Sequence, residues 1–153
     1  MQIKFKIEDE VSILKGNNYA DYLDSYLEVF HYDKKKETLL FSTTMHSTIL
    51  IEFSSVLIRL YQTEKKQTLD PFGNASVYSF TKSGRNLYII NFDELSNDIE
   101  WEYKYDLIEF IQSYTKELKH YLDSMVAVES DVQKNSSYKL LEEKYVLLKN
   151  FVN

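Results

Sequence analysis

Glu100 and Glu102 stand at i and i+2 in an alternating stretch. On a strand that spacing would hold the two carboxylates about 7 Å apart on one face. Acids at such separations can act as proton donor and base on glycosides. An outward, solvated sheet face has the same pattern, and Lys4 and Lys6 could lie across from these acids. Asp93, Asn97, Asp98 and Glu100 offer oxygens to calcium, but the glycine and ligand order of an EF-hand are missing. His31, His46 and His120 include no H-x-x-x-H pair, so ordinary polar histidines are expected and no metal. Gly16, Gly73 and Gly84 are the only glycines. They cannot assemble G-x-G-x-x-G or a P-loop, and G-x-S-x-G is absent, so no cofactor and no catalytic residue is assigned.

The charge is concentrated. Asp93, Glu94, Asp98, Glu100, Glu102, Asp106 and Glu109 stand against Lys104 alone, so this stretch carries the chain's entire net charge of −6. A rigid negative surface raises association rates and rejects wrong partners. Those seven acids are the candidate partner-binding residues. Arg59 and Arg85 are the only arginines, and an acidic domain does not neutralise phosphates, so direct nucleic-acid binding is not expected.

Composition narrows the class further. The 153 residues fit a single domain with a full core, comprising residues 1–125 and a C-terminal helical extension over about 136–152. Thirteen tyrosines, nine phenylalanines and one tryptophan suit half-buried sheet faces, and a Tyr surplus also fits an interaction surface. Met45, Met125 and the Tyr-rich positions could instead line a ligand pocket between sheet and helices. The absence of Cys excludes disulfides, thiol nucleophiles and cysteine-held metals. No apolar run approaches the roughly 20 residues needed to span a bilayer, and the first residues alternate rather than forming an apolar signal segment. A cytoplasmic location is expected.

The elements follow from periodicity. Gln2–Glu10 reads as a strand with Ile3, Phe5 and Ile7 inward, and Gly16-Asn17-Asn18 as a turn. Tyr19–Tyr32 reads as a long, bent strand with Leu27, Val29 and His31 on one face; Thr38–Met45 returns through Leu39 and Phe41. Ser47 or Thr48 is expected to cap a helix running to about Gln62, followed by a polar linker and a turn at Pro71-Phe72-Gly73. A second hairpin joins Ala75–Lys82 to Leu87–Phe92. Next comes an aromatic strand with Ile99, Trp101, Tyr103 and Tyr105 inward. Asp106, with Glu109 three residues on, caps an amphipathic helix to about Met125. Val126–Asn135 reads as a loop and Ser136 or Ser137 as the start of a last helix, whose wide apolar stripe could pair with a second copy. The predicted class is α+β, in the order β-ββ-α-βββ-α-α, a mainly antiparallel sheet with helices on one face.

In size, acidity, lack of Cys and hairpin–helix–hairpin–helix order, residues Met1 to about Met125 resemble the small cytoplasmic immunity proteins that bacteria carry against polymorphic toxins. The resemblance implies a non-catalytic domain that binds and blocks a toxin, with a basic nuclease groove as one place for the acids. No binding residue is carried over from it. A small-ligand protein or enzyme with a Tyr-lined pocket, and a structural subunit assembled through the last helix, are the alternatives.

Overall fold

Alternation of Ile3, Phe5 and Ile7 with lysines builds β1 (Gln2–Ile7), which pairs antiparallel with β2 (Leu27–Asp33). The computed structural model describes residues 1–16, 18–72 and 74–153. The turns expected at Gly16-Asn17-Asn18 and Pro71-Phe72-Gly73 include Asn17 and Gly73, which lie outside the described residues. β3 (Lys36–Thr43) completes a sheet of order β1-β2-β3. Leu27, Val29 and His31 are buried on the inner face. Val29 opposes Phe41 while Phe30 opposes Leu39, so Leu40 is an extra residue. A bulge of this kind resets the side-chain alternation. Leu40 and Phe41 are therefore both buried, and Leu39, expected inward, is exposed.

Ahead of the segment expected as one long strand, Val11–Gly16 forms a 3₁₀ turn that buries Leu14. The expected strand Tyr19–Tyr32 itself is divided: Tyr19–Leu23 forms the short helix α1, and only Leu27 onward is extended as β2. Adjacent Tyr22 and Leu23 are both buried, which a helical turn permits and a one-sided strand does not. The Tyr-rich composition pointed the other way.

The second sheet contains β4 (Gln67–Leu69), β5 (Ser76–Ser83), β6 (Asn86–Asp93) and β7 (Asp98–Asp106), antiparallel and in that order. β4 lies within the stretch read as a polar linker; it pairs with β5 and buries Leu69. Ser83 opposes Asn86 across Gly84-Arg85, with φ of 59° at Gly84. A positive φ at the first turn residue is the demand that glycine meets without strain.

Two long helices lie against the sheets. α2 (His46–Thr63) lies against β4 and β5, and α3 (Leu107–Val128) against β1 and β7. Phe53 of α2 is the centre of the core, with Phe41, Phe80, Phe110 and Tyr114 rings around it at 4.9–6.2 Å. α2 starts two or three residues earlier than a Ser47 or Thr48 cap would allow. Met45 takes the cap position, its N–H donating to Thr43 Oγ1, and Ser47 is buried. Asp106 caps α3 as expected, accepting from the Ile108 and Glu109 N–H groups. Glu117, the one buried acid among the described residues, accepts the Phe5 N–H at 2.9 Å and pairs with Lys4 at 3.3 Å, fastening β1 to α3.

The stretch expected as a loop after Met125 is mostly structured. No glycine or proline stops α3, which runs to Val128; a 3₁₀ turn (Ser130–Lys134) then buries Val132. α4 (Ser136–Val152), capped by Asn135, packs on α2 and α3 through Tyr138, Leu141 and Leu148. Phe151 stacks on Tyr61 at 4.1 Å. The molecule is thus α+β in the predicted order, with β4 and α1 added.

Candidate docking surface and inter-sheet cleft

Alternation assigns two faces to the second sheet. Leu87, Ile89 and Asn91 of β6 are buried toward the helices, so Tyr88, Ile90 and Phe92 point outward. Their cross-strand partners extend that outward face: Val77 and Ile99 oppose Phe92, Ser79 and Glu102 oppose Ile90, Thr81 and Lys104 oppose Tyr88. Val77, Tyr88, Ile90 and Phe92 are half-buried by their strand neighbours but do not belong to the packed core. No helix packs extensively on β6.

Ile99 was expected inward with Trp101, Tyr103 and Tyr105. Asn91 opposes Trp101 while Phe92 opposes Ile99, leaving Glu100 as the extra residue of a bulge. The alternation changes sign there, and Ile99 joins the outer face with 59% of its surface exposed. The other three rings keep the inward side. The same bulge interrupts the regular i, i+2 pairing of Glu100 with Glu102 on which a catalytic carboxylate pair would depend.

The seven acids separate into groups with different duties. Glu94, Asp98, Glu100 and Glu102 are exposed along the β6–β7 hairpin, and no ion pair among the described residues involves them. Lys4 and Lys6, the expected partners of Glu100 and Glu102, lie in the other sheet and pair with Glu117 and Glu37. Asp93 closes the hairpin turn by accepting the Leu95 and Ser96 N–H groups. This leaves Leu95 at the tip, 88% exposed. Asp106 is occupied by its cap and by Arg85 at 2.9 Å; the Glu109 N–H above all, and the guanidinium, hold its carboxyl below the usual range. Glu109 lines a separate cleft.

That cleft, of about 340 Å³, lies between the two sheets at the start of α3. His31 from β2 forms part of its floor, only 6% exposed, with neither ring nitrogen partnered among the described residues. Tyr103 and Tyr105 of β7 meet the imidazole edge-on at 5.2 and 5.4 Å. The Tyr105 hydroxyl is likewise buried and unpartnered. Burial pushes the His31 pKa down, keeping the ring neutral, and pushes that of Tyr105 up. Asp33 and Lys36 from the first hairpin, Lys104 from β7 and Glu109 from α3 stand around the cleft. The alternation of β2 placed His31 on the inner face, but no sequence signal brings it to Tyr105 across two sheets.

Among the described residues no group of three or more His, Asp or Glu could hold a metal ion, and no helix is long and apolar enough to cross a membrane. The final helix gives most of its apolar stripe to α2 and α3; Leu140, Val146 and Leu147 remain exposed. Comparison of the chain with family models, curated proteins and solved structures found no match.

Proposed function

We propose that this chain is a non-catalytic protein-binding domain whose outer second-sheet face docks a basic protein surface. The observation that carries this reading is the uncovered apolar stripe of Tyr88, Ile90, Phe92 and Ile99, bordered by the unpaired acids Glu94, Asp98, Glu100 and Glu102. Apolar side chains supply the desolvated centre of such an interface, and a charged rim steers approach and selects the partner. The aromatic content of the stripe suits a binding hot spot.

The resemblance to immunity proteins gives the partner a class: a toxin domain with a basic groove, met in a bacterial cytoplasm. The test uses the protein encoded beside this chain's gene. Support would be association that slows steeply as salt rises and that fails in an Ile90→Lys, Glu102→Lys double variant with an unchanged circular dichroism spectrum. Salt-independent association, or full binding by the double variant, would reject the reading.

A further inference from the structure

We propose that the free edge of β7 pairs with β7 of a second copy of this chain, antiparallel across a twofold axis at Tyr103.

The two sheets end on β1, β3, β4 and β7, and an edge with unpaired N–H and C=O groups recruits further strands. Three of these edges are blunted. On β1, the Glu8 N–H donates to the Tyr26 carbonyl, which fixes a ladder in which Phe5 turns its N–H away from β2. Glu117 accepts that group. β3 is broken in its middle by the bulge at Leu40, and β4 has three residues and lies against α2.

β7 has no such protection beyond its own bulge. The Leu107 N–H donates to the Arg85 carbonyl, so Trp101, Tyr103 and Tyr105 exchange hydrogen bonds with β6. Glu102 and Lys104 lie between them and point their N–H and C=O groups out of the edge. Among the described residues no turn or loop hydrogen bond reaches those groups, and no ion pair uses either side chain. Trp101–Asp106 runs unbroken past the bulge at Glu100, and the inter-sheet cleft leaves space beside Tyr103–Asp106.

Charge selects both the occupant and the register. One exposed acid and one exposed lysine make this edge complementary to itself, whereas a basic segment would meet Lys104 and an acidic one Glu102. Outward-pointing residues of the two strands must meet, so pairing can slip only in steps of two. With the axis at Tyr103, Glu102 opposes Lys104 of the second copy, and Lys104 opposes its Glu102. Each pair exchanges two backbone hydrogen bonds, four in all, and joins unlike charges. A slip of two sets Glu102 against Glu102 in one direction and Lys104 against Lys104 in the other. The twofold consumes the edge and joins the two four-stranded sheets, with the apolar stripe of each copy on one outer surface.

Sedimentation of the full chain at rising concentration is expected to show monomer passing to dimer, while the Glu102 and Lys104 amides gain protection from hydrogen exchange. Glu102→Lys and Lys104→Glu each set like charges across the axis. Each is expected to weaken association about tenfold or more, with the circular dichroism spectrum unchanged. Mixing the two variants, or combining both substitutions in one chain, recreates unlike pairs and is expected to restore the dimer. A monomer at every concentration overturns the proposal and leaves the edge to an extended segment of another protein. A dimer indifferent to either single swap, or one that the combined variant fails to restore, also overturns it. The contact would then lie elsewhere, as on Leu140, Val146 and Leu147 of α4.

Discussion

The His46 ring, at the first residue of α2, lies 2.9 Å from the Tyr121 hydroxyl on α3, and its other nitrogen lies 3.0 Å from the Ser25 carbonyl. A carbonyl only accepts, so Nδ1 carries the proton and Nε2 accepts from the tyrosine. The ring is therefore neutral. Burial pushes its pKa down to about 4 and that of Tyr121 up. The hydrogen-bonded pair ties the start of α2 to α3 where no side-chain cap does so.

The pH dependence has a definite sign. The folded value of about 4 lies below the unfolded value near 6.5, so the unfolded chain binds the proton first. Stability is complete above pH 6.5 and declines as pH falls toward 4, by roughly 2.5 kcal/mol at pH 4.5 from this group. His31 acts in the same direction. Urea unfolding at pH 7.5 and 4.5 checks it: His46→Gln is expected to lower stability at pH 7.5 but flatten the loss between the two.

The β2–β3 hairpin turns through Lys34 and Lys35, with φ of 47° and 73°. Two left-handed residues in succession define a type I′ turn, which favours Asn-Gly over any pair with long side chains. Lys34→Asn with Lys35→Gly is expected to raise stability by roughly 0.5–1 kcal/mol, seen as a higher melting temperature. A lower melting temperature would contradict the assigned turn.

Glu117 is expected to matter through its backbone contact more than its charge. Glu117→Ala leaves the Phe5 N–H without a partner and should cost about 2–3 kcal/mol; Glu117→Gln, which keeps an acceptor, should cost about half of that. Lys4 is half-exposed, so Lys4→Ala is expected to shift the urea midpoint little.

The two faces of β6 and β7 can be told apart by stability alone. Ile90→Thr and Ile99→Thr touch the outer face and should change stability by less than about 1 kcal/mol. Ile89→Thr on the inner face should cost about 2 kcal/mol or more, and Trp101→Ala about 3. Equal costs on both sides would place the bulge elsewhere.

Period and capping carried most of this fold. The helix stripes of Phe53 and Phe110, the Asp106 cap and the inward rings at Trp101, Tyr103 and Tyr105 were all legible from spacing. What escaped was local geometry set by partners. The bulges at Leu40 and Glu100 exist only against β2 and β6, so no reading of β3 or β7 alone could expose Ile99 or bury Leu40. β4 is three residues long, too short for alternation to register. Of the seven acids, sequence assigned a duty to Asp106 as the α3 cap but left it among the partner-binding acids, and it gave no sign that Asp93 is engaged by the hairpin turn. His31 and Tyr105 meet only through tertiary structure, and neither carries a motif.

The clasp between Glu117 and the Phe5 amide joins positions 112 apart in the chain. β1 is an edge strand held by β2 on one side and by this clasp, so its attachment is expected to fail before that of the central strands. Native-state hydrogen exchange should therefore find the β1 amides less protected than those of β6. When β1 lifts away, the edge of β2 lies open as a template, and the best-matched strand for it is β1 of a neighbouring molecule. In concentrated solution the chain is primed for strand exchange, and tightening the Glu117 clasp would be the means to suppress it.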